Sequence, residues 1–384
     1  MSIYSDLMAL IASDDGFYFK DFKLDTRTYR IFNYRLATWS SFKKANAIEC
    51  RGIMFDITVP DQPQLVCLPP QKFFNYEEGD CNHTLGKFGD KMTKMDGSLI
   101  STFYHENKEL RLKSKGSLTS SQAQAATKLF TGKFKDEVTK LVRNGYTVNM
   151  EYTSPTNRVV ISYPDDQLTV LSIRCHSTTE TFFGTKLRKF LESQNDKYDE
   201  ILKHLVPYEG LHSLNLNHNI FLTDVRNEES GEGYVVEIIM DENNSYLVKV
   251  KNLRYLTLHT TKNNISNSRR LFESVINESS DDLKSMFSLD PDSIDIIVKM
   301  EEYVKPRYNH LIETVEQFYT ENKDLSRKEY ALKAQKSHSK YMGLLIALYL
   351  GKTNNYKEFA IRHSKDLFGI NEQTQTTNNN NEDE

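Results

Sequence analysis

The sequence predicts an α+β domain followed by an all-α domain. Up to about residue 258, short runs of alternating apolar and polar residues are separated by turn residues, which is typical of half-buried strands with some helices between them. From residue 259 to residue 372, apolar residues recur at intervals of three and four, which is the period of an amphipathic helix. This change of period places the domain boundary between residues 258 and 259.

A hairpin with a charged face is predicted in the first domain. Segments 99–104 and 110–115 have the pattern of two strands, and the polar segment 105–109 joins them as a turn. Side chains two positions apart share a strand face. Three cations are therefore expected to lie together: Arg111, Lys113 and Lys115.

Lysines alternate with apolar residues near the end of the first domain. Val248 and Val250 are expected to face a core, so Lys249 and Lys251 point the other way.

Carboxylates occupy similar positions on two other predicted strands. Glu151 lies opposite an apolar face, beside Asn149, and Glu232 stands at the start of an apolar strand. Gly233, which comes directly after it, permits close backbone approach. Because charged side chains are mostly exposed, each of these residues taken alone is best explained as part of a solvated sheet face.

Helix signals mark the second domain. Asp290 offers an N-cap ahead of a helical pattern that runs from Ile294 to Tyr319, and Pro306 is expected to kink or interrupt that helix. Ser326 and Glu329 have the spacing of a capping box at the start of another helix.

Composition narrows the class of protein. The longest apolar run, 341–350, is far shorter than the roughly 20 residues that cross a bilayer, so no membrane association and a cytoplasmic location are expected. A net charge of -4 argues against indiscriminate electrostatic binding to nucleic acid but is compatible with a local basic groove. The cysteines show no C-x-x-C pairing, and the polar tail 373–384 is expected to be disordered.

The segment KMDGS at 94–98 is the first indication of a catalytic function. A Lys-x-Asp-Gly element can place an amine where it attacks the α-phosphate of a nucleotide. The motif alone is weak, because residue frequencies produce it by chance in roughly one chain in ten of this length. Whether this lysine motif marks a nucleotide-binding site therefore depends on the other motifs in the chain.

Six further motifs occur along the chain, and their order matters for the interpretation. They are ECRGIMF at 49–55, KFFN at 72–75, KSKGS at 113–117, EYTSPTNR at 151–158, EGYV at 232–235, and KVK at 249–251 with Tyr255 beyond. Together with the lysine motif they resemble motifs I, III, IV and V of the covalent nucleotidyltransferase superfamily of ligases and capping enzymes. The chain is most similar to the RNA ligase 1 family of T-even-type phages, over nearly its whole length.

The resemblance implies a fold and an activity. It implies a nucleotidyltransferase domain with ATP-grasp-like antiparallel sheets at 1–258, and an all-helical domain at 259–372 that confers specificity for RNA or tRNA. It further implies an RNA ligase that uses ATP and Mg²⁺ to join a 5′-phosphate end to a 3′-hydroxyl end, typically in a tRNA cut in its anticodon loop. The expected partners are RNA and a separate end-healing kinase and phosphatase. A monomer in the cytoplasm is expected, in the host cell if the gene is a phage's.

The resemblance also assigns residue roles. The catalytic set is Lys94, Asp96, Lys249 and Lys251, and the metal ligand is Glu232. The ATP-binding set is Arg51, Lys72, Phe74, Lys94, Gly97, Lys115, Glu151, Glu232, Gly233, Lys249, Lys251 and Tyr255. Glu151 is expected to hold the ribose and Asp96 to orient the nucleotide or the site, while Phe74 is equally compatible with a core position.

Lys94 is the expected nucleophile. A free lysine has a pKa near 10.4 and is protonated at neutral pH, so such a site must disfavour the ammonium form. Lys249, Lys251 and Arg51 are expected to do so by like-charge repulsion, and also to stabilise charge on the transferring phosphate.

Two alternative functions are compatible with some of these motifs. A DNA ligase or a GTP-using capping enzyme requires OB-fold strands after Lys-x-Lys, where this sequence predicts helices. A non-catalytic RNA-end-binding protein on a ligase scaffold is the alternative from another class. In the second domain a helical face with Lys333, Lys336, Lys340 and nearby His338 could meet RNA phosphates, but it is more commonly a solvated face.

Overall fold

The protein was analysed as a computed structural model. It describes residues 2–79, 82–106, 109–155, 161, 163–194, 197–214, 216–242, 244–253, 255–256, 267–288 and 290–370. The predicted tail 373–384 and residues 156–158 of the EYTSPTNR motif lie outside these ranges. The chain divides into two compact units, Met1–His259 and Thr260–Glu384.

The N-terminal unit combines sheets and helices. Its elements in chain order are α1 (Ile3–Ser13), β1 (Phe17–Leu24), β2 (Arg27–Tyr34), β3 (Met54–Asp56), β4 (Gln64–Cys67), β5 (Phe74–Asn75), β6 (Lys87–Thr93), β7 (Ser98–His105), β8 (Glu109–Ser114), α2 (Ser121–Leu129), α3 (Gly132–Arg143), β9 (Tyr146–Thr153), β10 (Gln167–Cys175), β11 (Thr181–Phe182), α4 (Gly184–Ser193), α5 (Asp199–Lys203), β12 (Tyr208–Gly210), α6 (His218–Asn227), β13 (Gly233–Asp241) and β14 (Asn244–Lys251). Short 3-10 helices occupy Trp39–Lys43, Ala47–Glu49 and His83–Leu85.

The strands form antiparallel sheets. β1, β2, β3 and β4 make one sheet in that order, and a second has the order β11-β10-β9-β7-β8. A third has the order β12-β6-β13-β14-β5, in which only the β14 and β5 pairing is parallel among the pairings described. The predicted fold class, α+β followed by α, is confirmed.

Alternating patterns fold as expected in the second and third sheets. β7 and β8 form the predicted hairpin, with Ile100 opposite Ser114. In the third sheet Val248 and Val250 are buried against α6, while Lys249 and Lys251 occupy the other face of β14.

The C-terminal unit is helical. Its elements are α7 (Ser268–Ile276), α8 (Ser280–Met286), α9 (Pro291–Asn322), α10 (Arg327–His338), a 3-10 helix at Ser339–Tyr341, α11 (Met342–Tyr349), α12 (Tyr356–Arg362) and α13 (Ser364–Phe368). Asp290 caps α9 by accepting a hydrogen bond from Ser293 N, and Ser326 and Glu329 form the predicted capping box of α10. Among the described residues, no helix is long and apolar enough to cross a membrane.

Of the kink or interruption expected at Pro306, the interruption is wrong, because α9 runs through that residue from Pro291 to Asn322. Val304 and Tyr308, on either side, are buried, and their packing favours a continuous helix. Pro306 itself is exposed, so water can reach the carbonyl group that loses its helical partner.

Candidate active site

A cavity of about 720 Å³ lies in the N-terminal unit. The predicted site residues in its wall are Arg51, Lys72, Phe74, Lys94, Gly97, Lys115 and Glu151. The others, Asp96, Glu232, Gly233, Lys249, Lys251 and Tyr255, are not in the wall. The structure therefore brings about half of the predicted set to one cavity, and the remaining residues lie outside its wall.

The wall has two chemically distinct parts. An apolar part is built around Met92, Phe183 and Val206, with Leu171 and Val235 packed against them. A cationic part contains the side chains of Arg51, Lys72 and Lys115. Such a cavity can hold a flat apolar ring at one place and anionic groups at another.

Lys94 comes directly after β6 and is held by β13. Its backbone N donates a hydrogen bond to Gly233 O at 2.9 Å. Its side-chain Nζ lies 2.7 Å from Glu232 Oε1, and Lys251 Nζ lies 3.1 Å from the same oxygen. Glu232 is only 2% exposed, so one buried carboxylate holds two amines beside the cavity.

Gly233 makes this arrangement sterically feasible. Its φ is +123°, a conformation that residues with a side chain rarely adopt. A Cβ atom at this position would lie 2.1 Å from Val250 O and 2.8 Å from the Lys251 Cα. Only glycine therefore allows β13 to pass close to β14 where Glu232 meets Lys251.

The charge environment of Lys94 differs from the expectation. Sequence reasoning anticipated repulsion from Lys249, Lys251 and Arg51. The structure adds an attraction to Glu232 at 2.7 Å. Lys94 is therefore held in place by an ion pair with a buried carboxylate.

Glu151 and Gly97 form the adjacent part of the wall. Burial raises the pKa of Glu151 from its usual value of 4.5 to about 7, while the charges of Lys94 and Arg51 and a hydrogen bond from Gly97 N lower it. A Cβ atom on Gly97 would lie 2.3 Å from Tyr152 O, so glycine is needed for the close contact with β9. Glu151 is thus poised between its neutral and ionised forms near neutral pH.

Replacing Glu151 by glutamine is expected to change the pH dependence of stability. Because the folded pKa of about 7 exceeds the unfolded value of 4.5, this carboxyl contributes fully below pH 4.5 and its contribution is lost as the pH rises through 7. At pH 8 the variant should be more stable than the parent, by on the order of 3 kcal/mol, with little difference at pH 4.5. Urea unfolding across this range measures the difference. The exposed Glu209→Gln is the control, and an equal response in both variants would contradict the expectation.

In the cationic part of the wall, the amines of Lys72 and Lys115 lie close to aromatic rings. Lys72 Nζ lies 5.2 Å from the centre of the Phe74 ring and 5.5 Å from that of Tyr34, and Lys115 Nζ lies 4.3 Å from the Tyr34 ring. Neither Arg51 nor Lys72 forms a salt bridge within the described part of the chain. Their charges are therefore available to an anionic ligand. Phe74 fits both predictions made for it. It lines the cavity, and it also packs edge-on against Trp39, with the ring centres 4.3 Å apart.

Comparison with known families is decisive at this point. The family model described as RNA ligase matches residues 49–255, more than half of the chain, and the model described as T4 RNA ligase 1, C-terminal domain, matches residues 262–360. The chain belongs to the RNA ligase 1 family. The resemblance deduced from the motifs is thereby confirmed.

Solved structures similar to this RNA ligase 1 family member are more distant. An archaeal ATP-dependent RNA ligase in its form 1 has 11% sequence identity, covers 94% of each chain and has a TM-score of 0.47. A Naegleria gruberi RNA ligase with pyrophosphate has 15% identity, covers 46% of this chain and 52% of its own, and has a TM-score of 0.35. The chain thus spans about half the length of the Naegleria gruberi ligases that it matches.

In this RNA ligase 1 family member, Asp96 and Tyr255 lie outside the cavity wall and stabilise the segment that follows Lys94. Both are buried, and Tyr255 OH donates a hydrogen bond to Asp96 Oδ1 at 3.0 Å. Ile161 N donates to Asp96 Oδ2 at 2.7 Å, and Asp96 N donates to Tyr163 OH at 3.0 Å. Of the two roles expected for Asp96, the structure favours orienting the site over touching a ligand in the cavity.

Asn252 was missed by sequence reasoning, although it stands directly after the Lys-x-Lys motif. It is fully buried, and its Nδ2 donates hydrogen bonds to Ser230 O and Gly231 O, both at 2.9 Å. Its Oδ1 accepts a hydrogen bond from Tyr255 N at 2.7 Å. One amide therefore fixes both the turn that precedes Glu232 and the tyrosine that contacts Asp96. A buried asparagine has no spacing signature by which a sequence alone could reveal it.

Replacing Asn252 by alanine is expected to lower the free energy of unfolding by about 1–3 kcal/mol, because buried backbone groups lose their partners. The same change should loosen the turn that carries Glu232. Asn252→Asp keeps the acceptor for Tyr255 N but loses both donors, so it should resemble the alanine variant. Urea unfolding and the rate of nucleotide binding measure the two effects. If Asn252→Asp behaved like the parent protein, the two donated hydrogen bonds would not matter.

Glu49 and Arg174 form a second supporting cluster that the sequence did not reveal. Arg174 is fully buried, and its two terminal nitrogens lie 2.6 and 2.9 Å from the Glu49 carboxylate. Arg174 also donates to Pro69 O at 2.8 Å, and Gln71 Nε2 donates to Glu49 Oε1 at 2.6 Å. The cluster thereby ties the segments that carry Arg51 and Lys72 to β10. Nothing in the spacing of residues 125 positions apart indicates such a pair.

Arg111, Lys113 and Lys115, which were expected to lie together on one strand face, have three different environments. Lys113 is fully buried, its Nζ donates to Gly52 O at 2.8 Å, and burial lowers its pKa. Arg111 pairs with Glu109 at 3.0 Å. Only Lys115 of the three lines the cavity. The physical reason is that β8 packs beside the loop containing Gly52, which a local strand pattern does not show.

The predicted basic face of the C-terminal unit is partly present. Lys333, Lys336 and Lys340 are exposed, but Lys333 Nζ donates to Asn322 Oδ1 at 2.6 Å. His338 packs edge-on against Phe318. Lys336 and Lys340 are thus the better candidates for contact with an anionic partner.

Proposed function

We propose that this protein is an ATP-dependent RNA ligase that joins a 5′-phosphate end to a 3′-hydroxyl end. The observation that carries the proposal is the position of Lys94 Nζ, which lies at the wall of a 720 Å³ cavity with Arg51 and Lys72 and is paired with Glu232 at 2.7 Å. Family membership supports the same activity. The apolar part of the cavity suits a nucleobase, and its cationic part suits a triphosphate.

The first step is nucleophilic attack by Lys94. Its neutral Nζ attacks the α-phosphorus of ATP and loses a proton to solvent, while the bond from the α-phosphorus to the bridging oxygen of the β-phosphate breaks and pyrophosphate leaves. Lys251 and Arg51 stabilise the negative charge on the transferring phosphate. Incoming phosphates would also compete with Glu232 for these cations, releasing Lys94 from its ion pair.

The RNA ends complete the reaction. An oxygen of the RNA 5′-phosphate attacks the lysine-bound phosphorus, which restores the Lys94 amine and gives an adenylylated RNA end. The 3′-hydroxyl then attacks the RNA 5′-phosphorus and AMP leaves, so one phosphodiester bond is formed for each ATP consumed. Both later steps place negative charge close to Lys94 and Lys251.

Glu232 is the residue that would hold a divalent cation, which we propose to be Mg²⁺. Its Oε2 is buried and has no hydrogen-bond partner among the described residues, and hard cations prefer such oxygen ligands. Bound Mg²⁺ would neutralise phosphate charge. The hydroxyl of Ser172, buried in the cavity wall and also without a described partner, would contact the nucleotide.

We further propose that the natural substrate is a tRNA broken in its anticodon loop, in the cytoplasm, with ends prepared by a separate kinase and phosphatase, and that the protein acts as a monomer. The match to the T4 RNA ligase 1 C-terminal domain and the exposed lysines of that unit support an RNA partner. A non-catalytic RNA-end-binding protein is the alternative, and it would bind ATP without becoming covalently labelled.

The test combines labelling with sealing. Purified protein, first treated with pyrophosphate to remove any bound AMP, is incubated with Mg²⁺ and α-labelled ATP and then denatured. We expect label on the protein, and we expect a nicked anticodon stem-loop to be sealed faster than linear RNA with the same ends. Absence of label would refute the ligase proposal. Equal rates on both RNAs would refute only the tRNA proposal.

A further inference from the structure

Three side chains of types that can ligate a metal meet in the N-terminal unit outside the cavity wall. Asp90 lies on β6, Glu237 lies on β13, and His212 lies in the loop after β12. One donor atom of each side chain lies within 4.8 Å of the donor atoms of the other two. Neither the proposed ligation mechanism nor any motif in the sequence uses these residues.

The pairing of β6 with β13 produces the meeting of the two carboxylates. The register shifts between Val236 and Ile238, so Glu237 faces the segment of β6 that contains Gly89 and Asp90. Asp90 N donates a hydrogen bond to Glu237 Oε2 at 3.2 Å. A Cβ atom on Gly89 would lie 2.1 Å from that same oxygen, so only glycine at position 89 leaves room for the Glu237 carboxylate.

His212 completes the group from the solvent side. Its Nε2 lies 3.0 Å from Asp90 Oδ1, and its side chain is 47% exposed whereas that of Asp90 is 2% exposed. The group is therefore buried on the carboxylate side and open on the imidazole side. An ion from solvent can reach it without any opening of the fold.

The charges of this group are incompletely balanced. Asp90 Oδ2 accepts a hydrogen bond from Thr185 N at 2.6 Å at the start of α4, and Oδ1 accepts one from the Thr185 hydroxyl at 2.8 Å. In the described part of the chain, however, no lysine or arginine forms a salt bridge with Asp90 or Glu237. Two neighbouring carboxylates with one imidazole carry excess negative charge, which burial makes costly unless a cation compensates it.

We propose that Asp90, His212 and Glu237 bind one divalent transition-metal cation, with Zn²⁺ as the best fit. Two carboxylate oxygens and one imidazole nitrogen form a donor set that suits Zn²⁺ or Mn²⁺ and suits Mg²⁺ less well. Ligands at about 2.1 Å from a metal lie about 3–3.4 Å from one another, and the His212 to Asp90 separation of 3.0 Å already has that value. The Thr185 hydroxyl and backbone N–H orient Asp90 in the way that outer hydrogen bonds orient metal ligands.

The bound ion has a structural consequence. It joins the loop containing His212 to β6 and β13, and through Asp90 it also reaches the start of α4. Because the ion binds the folded protein and not the unfolded chain, the melting temperature should rise with the logarithm of the free ion concentration once that concentration exceeds the dissociation constant. Lys94 lies four residues after Asp90 on the chain, but its ion pair with Glu232 shares no residue with this site.

The test uses Zn²⁺ alone with the full-length protein and variants at the exposed ligand. His212→Ala removes the ligand, and His212→Gln can still donate a hydrogen bond to Asp90 but binds metal poorly. His310→Ala, which alters an exposed histidine in α9, is the matched control. Isothermal titration and thermal melting in the absence of nucleotide measure metal binding without depending on ligase activity.

We expect the parent protein and His310→Ala to bind one more Zn²⁺ than either His212 variant, or to bind it more than about 100-fold more tightly, with a matching rise in melting temperature. We also expect metal-free His212→Gln to melt close to the parent protein. Equal Zn²⁺ binding and equal melting shifts in all four proteins would overturn the proposal, and Asp90 would then serve only to cap α4 and anchor His212.

Discussion

Replacing Lys94 by arginine is expected to abolish covalent labelling by α-labelled ATP, with a loss of more than about 1000-fold. The guanidinium group keeps a positive charge opposite Glu232, which lies 2.7 Å from the present amine, so the fold and the ion pair are retained. Arginine stays protonated at every working pH and offers no lone pair for attack on phosphorus. Labelling on denaturing gels measures the loss, and calorimetry measures whether ATP still binds within a few-fold of the parent affinity.

Two comparisons separate loss of the nucleophile from loss of the fold. Lys91→Arg alters a lysine on β6, the strand that precedes Lys94; Lys91 pairs with Glu209 at 2.7 Å, and the variant should label normally. The Lys94→Arg protein should also retain sealing of RNA that is already adenylylated, because the 3′-hydroxyl is the nucleophile of that step. Persistent label on Lys94→Arg would show that another residue carries the AMP.

Local patterns predicted much of the fold. The β7–β8 hairpin, the alternation of Val248 and Val250 with their flanking lysines, and the caps at Asp290 and Ser326 all depend on residues a few positions apart. In such segments, side-chain periodicity and capping chemistry specify the backbone directly. Pro306 shows the limit of this reasoning, because tertiary packing on both sides of the proline preserved a helix that local propensity opposed.

The candidate site was predicted through its motifs and not through its geometry. Motif order identified seven residues of the cavity wall, but it could not show that Glu232 would pair with Lys94 across 138 positions of the chain. For the same reason Lys113 was grouped with Arg111 and Lys115, although its amine donates to the Gly52 carbonyl, 61 positions away. Interactions of this kind depend on which loops the sheets bring together, and no local period encodes them.

The buried ion pair of Glu49 and Arg174 is the long-range interaction for which we expect the largest effect on stability. Glu49 is 4% exposed and Arg174 is 0% exposed, and their groups meet at 2.6 Å in a paired geometry. Removing one member of a buried ion pair leaves the other charge without compensation, which typically costs about 3–5 kcal/mol. Since Glu49 also accepts a hydrogen bond from Gln71, beside Lys72, the damage should extend to the phosphate-binding side of the cavity.

Replacing Arg174 by methionine is therefore expected to lower the free energy of unfolding by about 3–5 kcal/mol. In the protein that remains folded, the concentration of ATP needed for half-maximal labelling should rise more than the maximal rate falls, because Arg51 and Lys72 lose their support while Lys94 does not.

The double variant Arg174→Met with Glu49→Met should recover part of the stability, since no buried charge is left alone. Arg188→Met removes an exposed pair with Glu192 and should cost less than about 1 kcal/mol. Urea unfolding and labelling at varied ATP measure these effects, and equal losses in Arg174→Met and Arg188→Met would show that the buried pair does not brace the site.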